Sequence, residues 1–307
     1  MSTANATLLI NLSAGDAAYG YLTAKGLIQA HRATVKEVIL VVDSAKAQYS
    51  TFYDHAKRYA EPQYSEKINI ITAAANQLKS EGLADRVIEL KENDPVIKQL
   101  SKHYFKNRLT ATHDFRGAPI SAYMVGMAAC NTKYVVRYDG DIIIHQKPGS
   151  DWIMKGIEYL ESDKTLIAAS PNPAPPALNS SVQTPYTDIY WFSTRCLLLN
   201  KELLMQQLPL LGYKYLPELT LRKLLKRTYP PAFETVITNK LAGKKLNNRY
   251  LGNEEAWYLH PEDKGGLFLK LLPGIIAKAK AGQYPSDQGG KEILLVDAWN
   301  EFLNEER

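Results

Sequence analysis

The chain has 307 residues, of which 45% are hydrophobic, and a formal net charge of +5. This length can bury a substantial core, as one large α/β domain or as two tightly joined halves. No run approaches the roughly 20 apolar residues of a membrane-spanning helix, and a signal peptide is not indicated. The two cysteines, Cys130 and Cys196, lie in apolar surroundings and are expected to be reduced core thiols, which supports neither a disulfide framework nor a cysteine-ligated zinc site. We expect a cytoplasmic protein, with peripheral contact at the inner face of a membrane left open.

The first half of the chain alternates strand and helix patterns. Strands are predicted at 7–12, 37–43, 68–71, 85–90 and 133–138, and helices at 19–31, 45–58, 73–82 and 120–129. The clearest strand, 37–43, is β-branched and almost wholly apolar. Continuous apolar strands separated by helices predict a Rossmann-type, mostly parallel α/β sheet that is covered by helices on both faces.

The second half is less regular. Strands are predicted at 166–170 and within 188–200, and helices at 201–208, 219–227, 253–259 and 266–281. No internal repeat, low-complexity tract or long linker separates this part from the first. We therefore predict two halves, residues 1–145 and 146–307, of one continuous domain.

Asp139-Gly140-Asp141 directly follows a predicted buried strand. Two carboxylates separated by one residue form an oxygen-rich site that can hold a hard divalent cation, and the cation can hold a diphosphate. The triplet could also be a turn or a helix cap, because Asp and Gly favour turns. Asp43 ends a neighbouring strand, and ligands of parallel sheets bind at the carboxyl ends of the strands. Asp43 with Ser44 could equally cap a helix that begins near Ala45.

A basic region spans residues 222–249. Between residues 217 and 250 there are two acids and eight basic residues, Arg222, Lys223, Lys226, Arg227, Lys240, Lys244, Lys245 and Arg249. Such a region is either a solvated helix face or a surface that attracts lipid headgroups, an acidic acceptor or a donor diphosphate. Nucleic acid is not expected to be a partner, because no recognised binding motif accompanies the charge.

The order of these motifs resembles a known family. A strand ends at Asp43-Ser44, a helix of small residues at 117–129 leads to the strand before Asp139, and the acidic pair Glu254-Glu255 follows about a hundred residues later. This order is similar to that of GT-A-fold glycosyltransferases, and most similar to the inverting enzymes of glycosyltransferase family 2. The resemblance covers residues 7–145 well and the remainder loosely.

The resemblance implies a metal-dependent hexosyltransferase of the kind that builds polysaccharides. Residues 1–145 would bind a nucleotide-diphosphate sugar, residues 146–307 would bind a carbohydrate or lipid-linked acceptor, and Mn²⁺ or Mg²⁺ would be the cofactor. Asp141 would bind the metal, Asp139 would face the ribose or the water shell of the metal, and Asp43 would accept hydrogen bonds from the base. Arg116 would place a guanidinium near the donor, a role suited to its forked donors, although it could also be a surface arginine.

An inverting transfer needs a carboxylate that removes the proton of the acceptor hydroxyl. By resemblance, Glu255 is this base and Glu254 is a structural or acceptor-binding partner. The family usually has Glu-Asp at a helix start, so Glu255 departs from its pattern. The alternative is that both are favourable first-turn acids after an Asn253 cap.

Further ligand contacts come from the second half. His260 is predicted to complete the metal shell, as a C-terminal histidine does in some GT-A enzymes, or to act as a helix-ending hydrogen-bond donor. Of the aromatic side chains, Trp191 or Trp257 is expected to stack on a sugar ring.

Two other functions remain open. A sugar nucleotidyltransferase usually has a glycine-rich basic loop after the first strand, whereas residues 11–16 contain one glycine and no basic residue follows before Lys25. The second alternative is a non-catalytic carbohydrate- or membrane-binding protein of the same fold.

Overall fold

The computed structural model describes residues 3–48, 50–51, 53–177, 184–211, 217, 221, 224, 231–252 and 254–305. The helix predicted at 219–227 lies largely outside these residues, as do the basic side chains of Arg222, Lys223, Lys226 and Arg227 and the Asn253 cap.

The described elements alternate through the first half of the chain and then become less regular. The strands are β1 Ala4–Ser13, β2 Val35–Asp43, β3 Arg86–Leu90, β4 Tyr134–Asp139, β5 Ile143–Gln146, β6 Leu166–Ser170, β7 Tyr186–Ile189, β8 Cys196–Asn200, β9 Asn247–Leu251 and β10 Ala256–Leu259. The α-helices are α1 Gly20–His31, α2 His55–Arg58, α3 Gln63–Ser80, α4 Pro95–Phe105, α5 Ser121–Ala129, α6 Trp152–Ser162, α7 Lys201–Gln206, α8 Phe233–Ala242, α9 Gly266–Lys280 and α10 Val296–Glu305.

The main sheet has eight strands in the order β3-β2-β1-β4-β8-β6-β9-β7. Strands β3, β2, β1 and β4 are mutually parallel, and so are β6 and β9. Strand β8 runs antiparallel between β4 and β6, and β7 is an antiparallel edge strand. The carboxyl ends of β1–β4, β6 and β9 therefore meet at one edge of the sheet. Both halves of the chain contribute strands to this single sheet.

Both faces of the sheet are covered, as predicted. Alternate β1 residues point to opposite sides, so Leu8 and Ile10 join one core cluster and Leu9 joins another. The first cluster is completed by α1, α3 and α6, and the second by α4, α5, α7 and α8. Strands buried on both faces lack an apolar-polar alternation, which explains the continuous apolar runs in the sequence.

A smaller unit packs beside the main sheet. Strands β5 and β10 pair antiparallel, and α9 and α10 cover them with a third core that includes Trp257, Phe268 and Trp299. This unit places the residues that follow β10, from His260 onward, next to the residues that precede β5.

Three sequence predictions of secondary structure are wrong. Among the described residues of 45–58, the one helix is the short α2, and the segment before it is a loop in which the Asp43 and Tyr59 side chains bind the backbone amides of Ala45 and Ala47. Residues 68–71 belong to α3, where Ile71 is buried and Ile70 is 53% exposed, as helical periodicity requires.

The third wrong prediction is the helix at 253–259. Its apolar residues form β10, which pairs with β5 and is buried along its whole length. A short, fully buried apolar run fits a strand or a helix equally well, so periodicity could not distinguish them.

Cys130 and Cys196 are buried and free, as expected of core thiols. Within the described part of the chain, no helix combines the length and the apolar character needed to cross a bilayer.

Candidate functional site

A cleft of about 410 Å³ opens at the carboxyl edge of the main sheet. Its floor comes from the ends of β1, β2 and β4, and its walls from segments 53–64 and 113–123. His260 and Lys264, from the loop after β10, close one side. The volume lies in the range of small-molecule sites, and the position is where parallel sheets bind ligands.

Asp141 is the centre of the charged side of the cleft. Its Oδ2 accepts a hydrogen bond from Lys264 Nζ at 2.5 Å and lies 3.2 Å from His260 Nε2. Burial alone would raise the pKa of Asp141, but His260 and the Lys264 ammonium outweigh it and hold the pKa well below its usual range. Asp141 Oδ1 and His260 Nδ1 are buried without a hydrogen-bond partner among the described residues. The carboxylate is therefore ionised and keeps one oxygen available to a ligand.

Asp139 is held by a buried arginine. Arg137 Nη2 lies 2.5 Å from Asp139 Oδ1, and the guanidinium stacks 3.7 Å from the centre of the Tyr123 ring. Burial raises the pKa of Asp139, and the Arg137 charge opposes that rise. Arg137 Nε and Nη1 have no partner among the described residues. The ion pair engages Oδ1 of Asp139, whose side chain also lines the cleft.

The donor set fits a cation that arrives with its own oxygen ligands. Within the described residues, no three His, Cys, Asp or Glu side chains are close enough together to hold a metal. The reason is that Asp139 faces Arg137, which leaves Asp141 and His260 as a pair. Mg²⁺-like ions commonly take one or two carboxylates and complete their shell with substrate phosphates and water. Asp141 and His260 suit such an ion once Lys264 moves from Asp141.

The glycine of the triplet is required by close packing. A Cβ atom on Gly140 would lie 2.6 Å from Leu12 Cδ2 and 2.9 Å from the backbone oxygen of Asn11. Contacts this short would displace the strand end that carries the site. Gly140 therefore lets Asp139 and Asp141 turn tightly beside β1.

Asp16 is a buried carboxylate that sequence reasoning did not select. Its Oδ2 accepts from Ser13 N and Ser13 Oγ at 2.7 and 3.0 Å, and its Oδ1 accepts from Tyr19 Oη at 2.7 Å. Burial and the nearby Asp141 raise its pKa. The Ser13-x-x-Asp16 spacing is that of a capping box and could have identified it. Asp16 shapes the cleft wall and already has its hydrogen-bond partners.

Asp43 presents a second unpartnered carboxylate oxygen. Its Oδ1 accepts from Ala45 N at 3.0 Å, while Oδ2 has no hydrogen bond among the described residues and lies 3.6 Å from His113 Nε2. Burial raises the pKa of Asp43 to about 7 and lowers the pKa of His113 to about 4. A ligand N–H could satisfy this oxygen. The alternative prediction, that Asp43 caps a helix beginning near Ala45, is wrong, because residues 44–47 are not helical and the Ala45 amide that Asp43 binds belongs to a loop.

The buried Asp43 carboxyl makes a testable contribution to stability. Its pKa is raised from 3.8 to about 7 in the folded protein, so the stability it contributes is fully present below pH 3.8 and is lost as the pH rises through 7. We expect Asp43→Asn, which keeps the acceptor for Ala45, to be more stable than wild type at pH 8 by on the order of 4 kcal/mol. Urea unfolding from pH 4 to 8 measures the difference, which should shrink toward pH 4. The exposed Asp287 provides a control substitution, Asp287→Asn, and a pH-independent difference for Asp43→Asn would contradict the expectation.

Asn11 lies between these groups and also lacks partners. It stands opposite Asp139 in the β1–β4 register, lines the cleft, and has both amide atoms buried without hydrogen bonds among the described residues. Buried polar groups are normally satisfied, so an unpaired amide facing a cleft suggests a ligand contact. A polar residue within the apolar run 7–12 was the available sequence signal.

Two arginines line the cleft, and they differ in whether a carboxylate pairs with them. Arg116 is paired with Asp114 at 2.9 Å and with Glu234 at 3.1 Å, so its guanidinium is already engaged within the protein. Arg58 lies 4.2 Å from the centre of the Tyr53 ring, and no carboxylate of the described residues pairs with it. The structure thus offers Arg58, rather than Arg116, as an available cation.

Glu254 and Glu255 are not brought to the cleft. Glu255 accepts from Ser150 Oγ at 2.6 Å and pairs with Lys155 at 3.3 Å. It precedes the four-residue β10, at whose other end His260 follows, so the extended chain separates the two by about 16 Å. Among the described residues, neither glutamate lines the cleft. The general-base role of Glu255 stays a prediction that its position does not support.

The two predicted sugar-stacking tryptophans differ in exposure. Trp257 is buried in the third core and stacks on His145, so its faces are covered by protein. Trp191 is 46% exposed in the connection between β7 and β8. Trp191 is the one that presents a surface to a ligand.

No protein-family model matches the chain, and no curated protein matches its sequence. A solved structure of the galactosyltransferase LgtC, in complex with donor and acceptor sugar analogues, is similar over 76% of this chain and 70% of its own, with 14% identity and a TM-score of 0.34. An active-site mutant of LgtC matches in the same way, with 13% identity and a TM-score of 0.33.

UDP-glucose pyrophosphorylase complexed with UDP-glucose is similar over 99% of this chain and 100% of its own, with 7% identity and a TM-score of 0.41. Likenesses of this size carry no argument about activity. They also do not single out the family 2 type, so that finer resemblance stays a prediction.

Proposed function

We propose that the protein is a metal-dependent glycosyltransferase whose cleft binds a nucleotide-diphosphate sugar. The observation that carries the proposal is the division of one cleft into two chemically different ends. The unpartnered carboxylate oxygen of Asp43 lies at one end, Asp141 with His260 and Lys264 lies at the other, and the unpartnered amide of Asn11 lies between them.

The neutral end suits the nucleoside. A buried acceptor without a partner costs free energy, so a ligand N–H on Asp43 Oδ2 would bind with little competing desolvation. Asn11 can donate and accept at once and could bind the base or the ribose. Asp139, whose Oδ1 pairs with Arg137, would face the ribose or the water shell of a metal.

The charged end suits a diphosphate. Asp141 and His260 would hold Mn²⁺ or Mg²⁺ together with phosphate oxygens, and the bound cation would neutralise the charge that develops on the leaving diphosphate. When the metal binds, the Lys264 ammonium can move from Asp141 and pair with a phosphate instead. Arg58 can reach the same group from the opposite wall with its forked donors.

The two halves would then divide the substrates. Donor contacts come mainly from residues 1–145, while His260 and Lys264 come from 146–307, which would bind the carbohydrate or lipid-linked acceptor. Membrane contact through the 222–249 region has limited support among the described residues. Lys244 and Lys245 are exposed, but Arg249 is buried against Asp188 and Asp163.

The test is thermal stabilisation and turnover with UDP-glucose, UDP-galactose, UDP-N-acetylglucosamine and GDP-mannose, each with and without Mn²⁺. We expect at least one donor to raise the melting temperature by several degrees only when the metal is present, and to be hydrolysed slowly. Stabilisation by none of these donors would contradict the proposal. Binding without turnover would favour a non-catalytic protein, and pyrophosphate release from UTP and glucose 1-phosphate would favour a nucleotidyltransferase.

Arg58→Gln is expected to weaken donor binding by about 10- to 100-fold, because a hydrogen bond to a charged group contributes about 1.5–3 kcal/mol. Titration calorimetry with UDP and Mn²⁺ measures the effect. Arg32→Gln is a matched control, since Arg32 pairs with Asp85 on the surface. Equal dissociation constants for wild type and Arg58→Gln would exclude Arg58 from the phosphate site.

A further inference from the structure

Glu292 lies beside the charged end of the cleft, although it is distant in sequence from Asp141, His260 and Lys264. The backbone amide of His260 donates to the Glu292 carbonyl at 3.1 Å, and His260 forms an isolated β-bridge with Ile293. The segment between α9 and α10 is thereby joined to the loop that carries His260. Glu292 is thus a backbone neighbour of a proposed metal ligand.

The side chain of Glu292 pairs with Arg195, whose backbone contacts the other carboxylate residue of the triplet, Asp139. Its Oε1 lies 2.6 Å from Arg195 Nη1, and the Arg195 carbonyl accepts from the backbone amide of Asp139 at 2.9 Å. The Arg195–Glu292 pair therefore connects the two sides of the charged end, one next to Asp139 and one next to His260. Both side chains are about one-third exposed, at 36% and 33%, so the paired carboxylate is partly accessible at the surface beside the cleft.

The Arg195–Glu292 pair lies over the strands that the second half of the chain contributes to the sheet. Arg195 immediately precedes β8, which follows β4 in the strand order, and the Glu292 charge reaches Tyr250 at the end of β9. Burial, with a contribution from Glu292, raises the pKa of Tyr250 to about 12. Asp43 and Asn11 lie over β2 and β1, on the opposite side of β4. A donor bound along β2, β1 and β4 would therefore present its sugar toward Glu292.

Two other carboxylates are less suitable. Glu234 accepts from the backbone and the hydroxyl of Thr194 and also pairs with Arg116, so its oxygens are engaged. Glu255 is at the far end of β10 and is bound by Ser150 and Lys155. Glu292 is also paired, but it combines a partly exposed carboxylate with a place beside His260, at the boundary between the donor strands and the second half.

We propose that Glu292 is the general base that activates the acceptor, an inference that rests on the proposed glycosyl transfer. The acceptor O–H proton passes to the Glu292 carboxylate as the acceptor oxygen bonds to the anomeric carbon. The bond from that carbon to the diphosphate oxygen breaks, and its electron pair leaves with the diphosphate. The protonated carboxyl then releases its proton to water. Arg195 holds the carboxylate in place before the transfer.

The experiment uses water as the acceptor, so that no acceptor has to be known. Glu292→Gln is expected to bind the donor with Mn²⁺ within about twofold of wild type and to lower the kcat of donor hydrolysis by about 10²- to 10⁴-fold, the usual range for loss of a general base. Azide needs no deprotonation and should restore turnover of the variant as glycosyl azide. Rescue by azide distinguishes a lost base from a merely structural change.

Glu301→Gln is the matched control, because Glu301 is an exposed carboxylate on α10 that is not among the cleft residues, and its hydrolysis rate should be unchanged. Full hydrolysis by Glu292→Gln would overturn the proposal, and so would loss of donor binding or the absence of azide rescue. If Glu292→Gln does not fold, Glu292→Asp keeps the charge beside Arg195 but withdraws it by one methylene, and a kcat equal to that of wild type would overturn the proposal. A wild-type protein that binds none of the donors would instead refute the glycosyltransferase function itself.

Discussion

Asp141→Asn is expected to lower metal-dependent donor hydrolysis about 1,000-fold, since metal stabilisation of the leaving diphosphate amounts to several kcal/mol. Asp141 is the ionised carboxylate of the charged end, with one oxygen on Lys264 and His260 and the other without a partner in the described residues. An asparagine keeps the shape but provides no charge to hold the cation. The measurement is kcat as a function of Mn²⁺ concentration with the donor that stabilises the wild-type protein best.

The control for this substitution is Asp263→Asn, which changes an exposed carboxyl in the same loop as Lys264. Its hydrolysis rate and its Mn²⁺ dependence should match those of wild type. If Asp141→Asn kept the wild-type rate and metal dependence, the cation would have to bind elsewhere, and the assignment of Asp141 and His260 as its ligands would be wrong.

Arg137→Met is expected to destabilise the protein by about 3–5 kcal/mol, the usual consequence of breaking a buried ion pair from one side. Arg137 is buried beneath the triplet, and its charge compensates Asp139. Methionine fills part of the space but leaves Asp139 without its cation. Urea unfolding at pH 7 measures the loss, which should appear as a lower midpoint with an unchanged slope.

The Arg137→Met and Asp139→Asn double variant completes a thermodynamic cycle. Because it removes both charges, it should lose less stability than the sum of the two single variants, with a coupling of at least about 1 kcal/mol. Additive losses would show that Arg137 contributes by packing against Tyr123 rather than by pairing with Asp139.

The sheet could be predicted because its central strands are buried on both faces. The runs at 7–12, 37–43 and 133–138 correspond to β1, β2 and β4, and burial on both faces favours apolar residues at nearly every position, so these strands are encoded locally. The run at 85–90 corresponds to β3, an edge strand that keeps Arg86 and Glu89. Loops and short buried runs have no such local signature, which is why residues 45–58 and 253–259 were assigned wrongly.

The site could be predicted only in part, because a strand end is a local feature whereas its neighbours are not. Asp43, Asp139 and Asp141 could be placed at the sheet edge from their positions after predicted strands. The residues that contact them come from distant segments. Lys264 reaches Asp141 across 123 positions, and Arg195 reaches Glu292 across 97.

By itself, the sequence determined the mostly parallel sheet and the edge at which its acidic residues gather, since both depend on short-range hydrophobic patterns and on the order of strands. The tertiary structure decided how those residues are paired. Arg116 and Glu255 are paired with other side chains away from the charged end, whereas Arg58 lines the cleft unpaired by any described carboxylate and Glu292 pairs with Arg195 next to His260. Pairing depends on distances of a few ångströms between segments that the chain brings together only when it folds, and residue spacing carries no record of those distances.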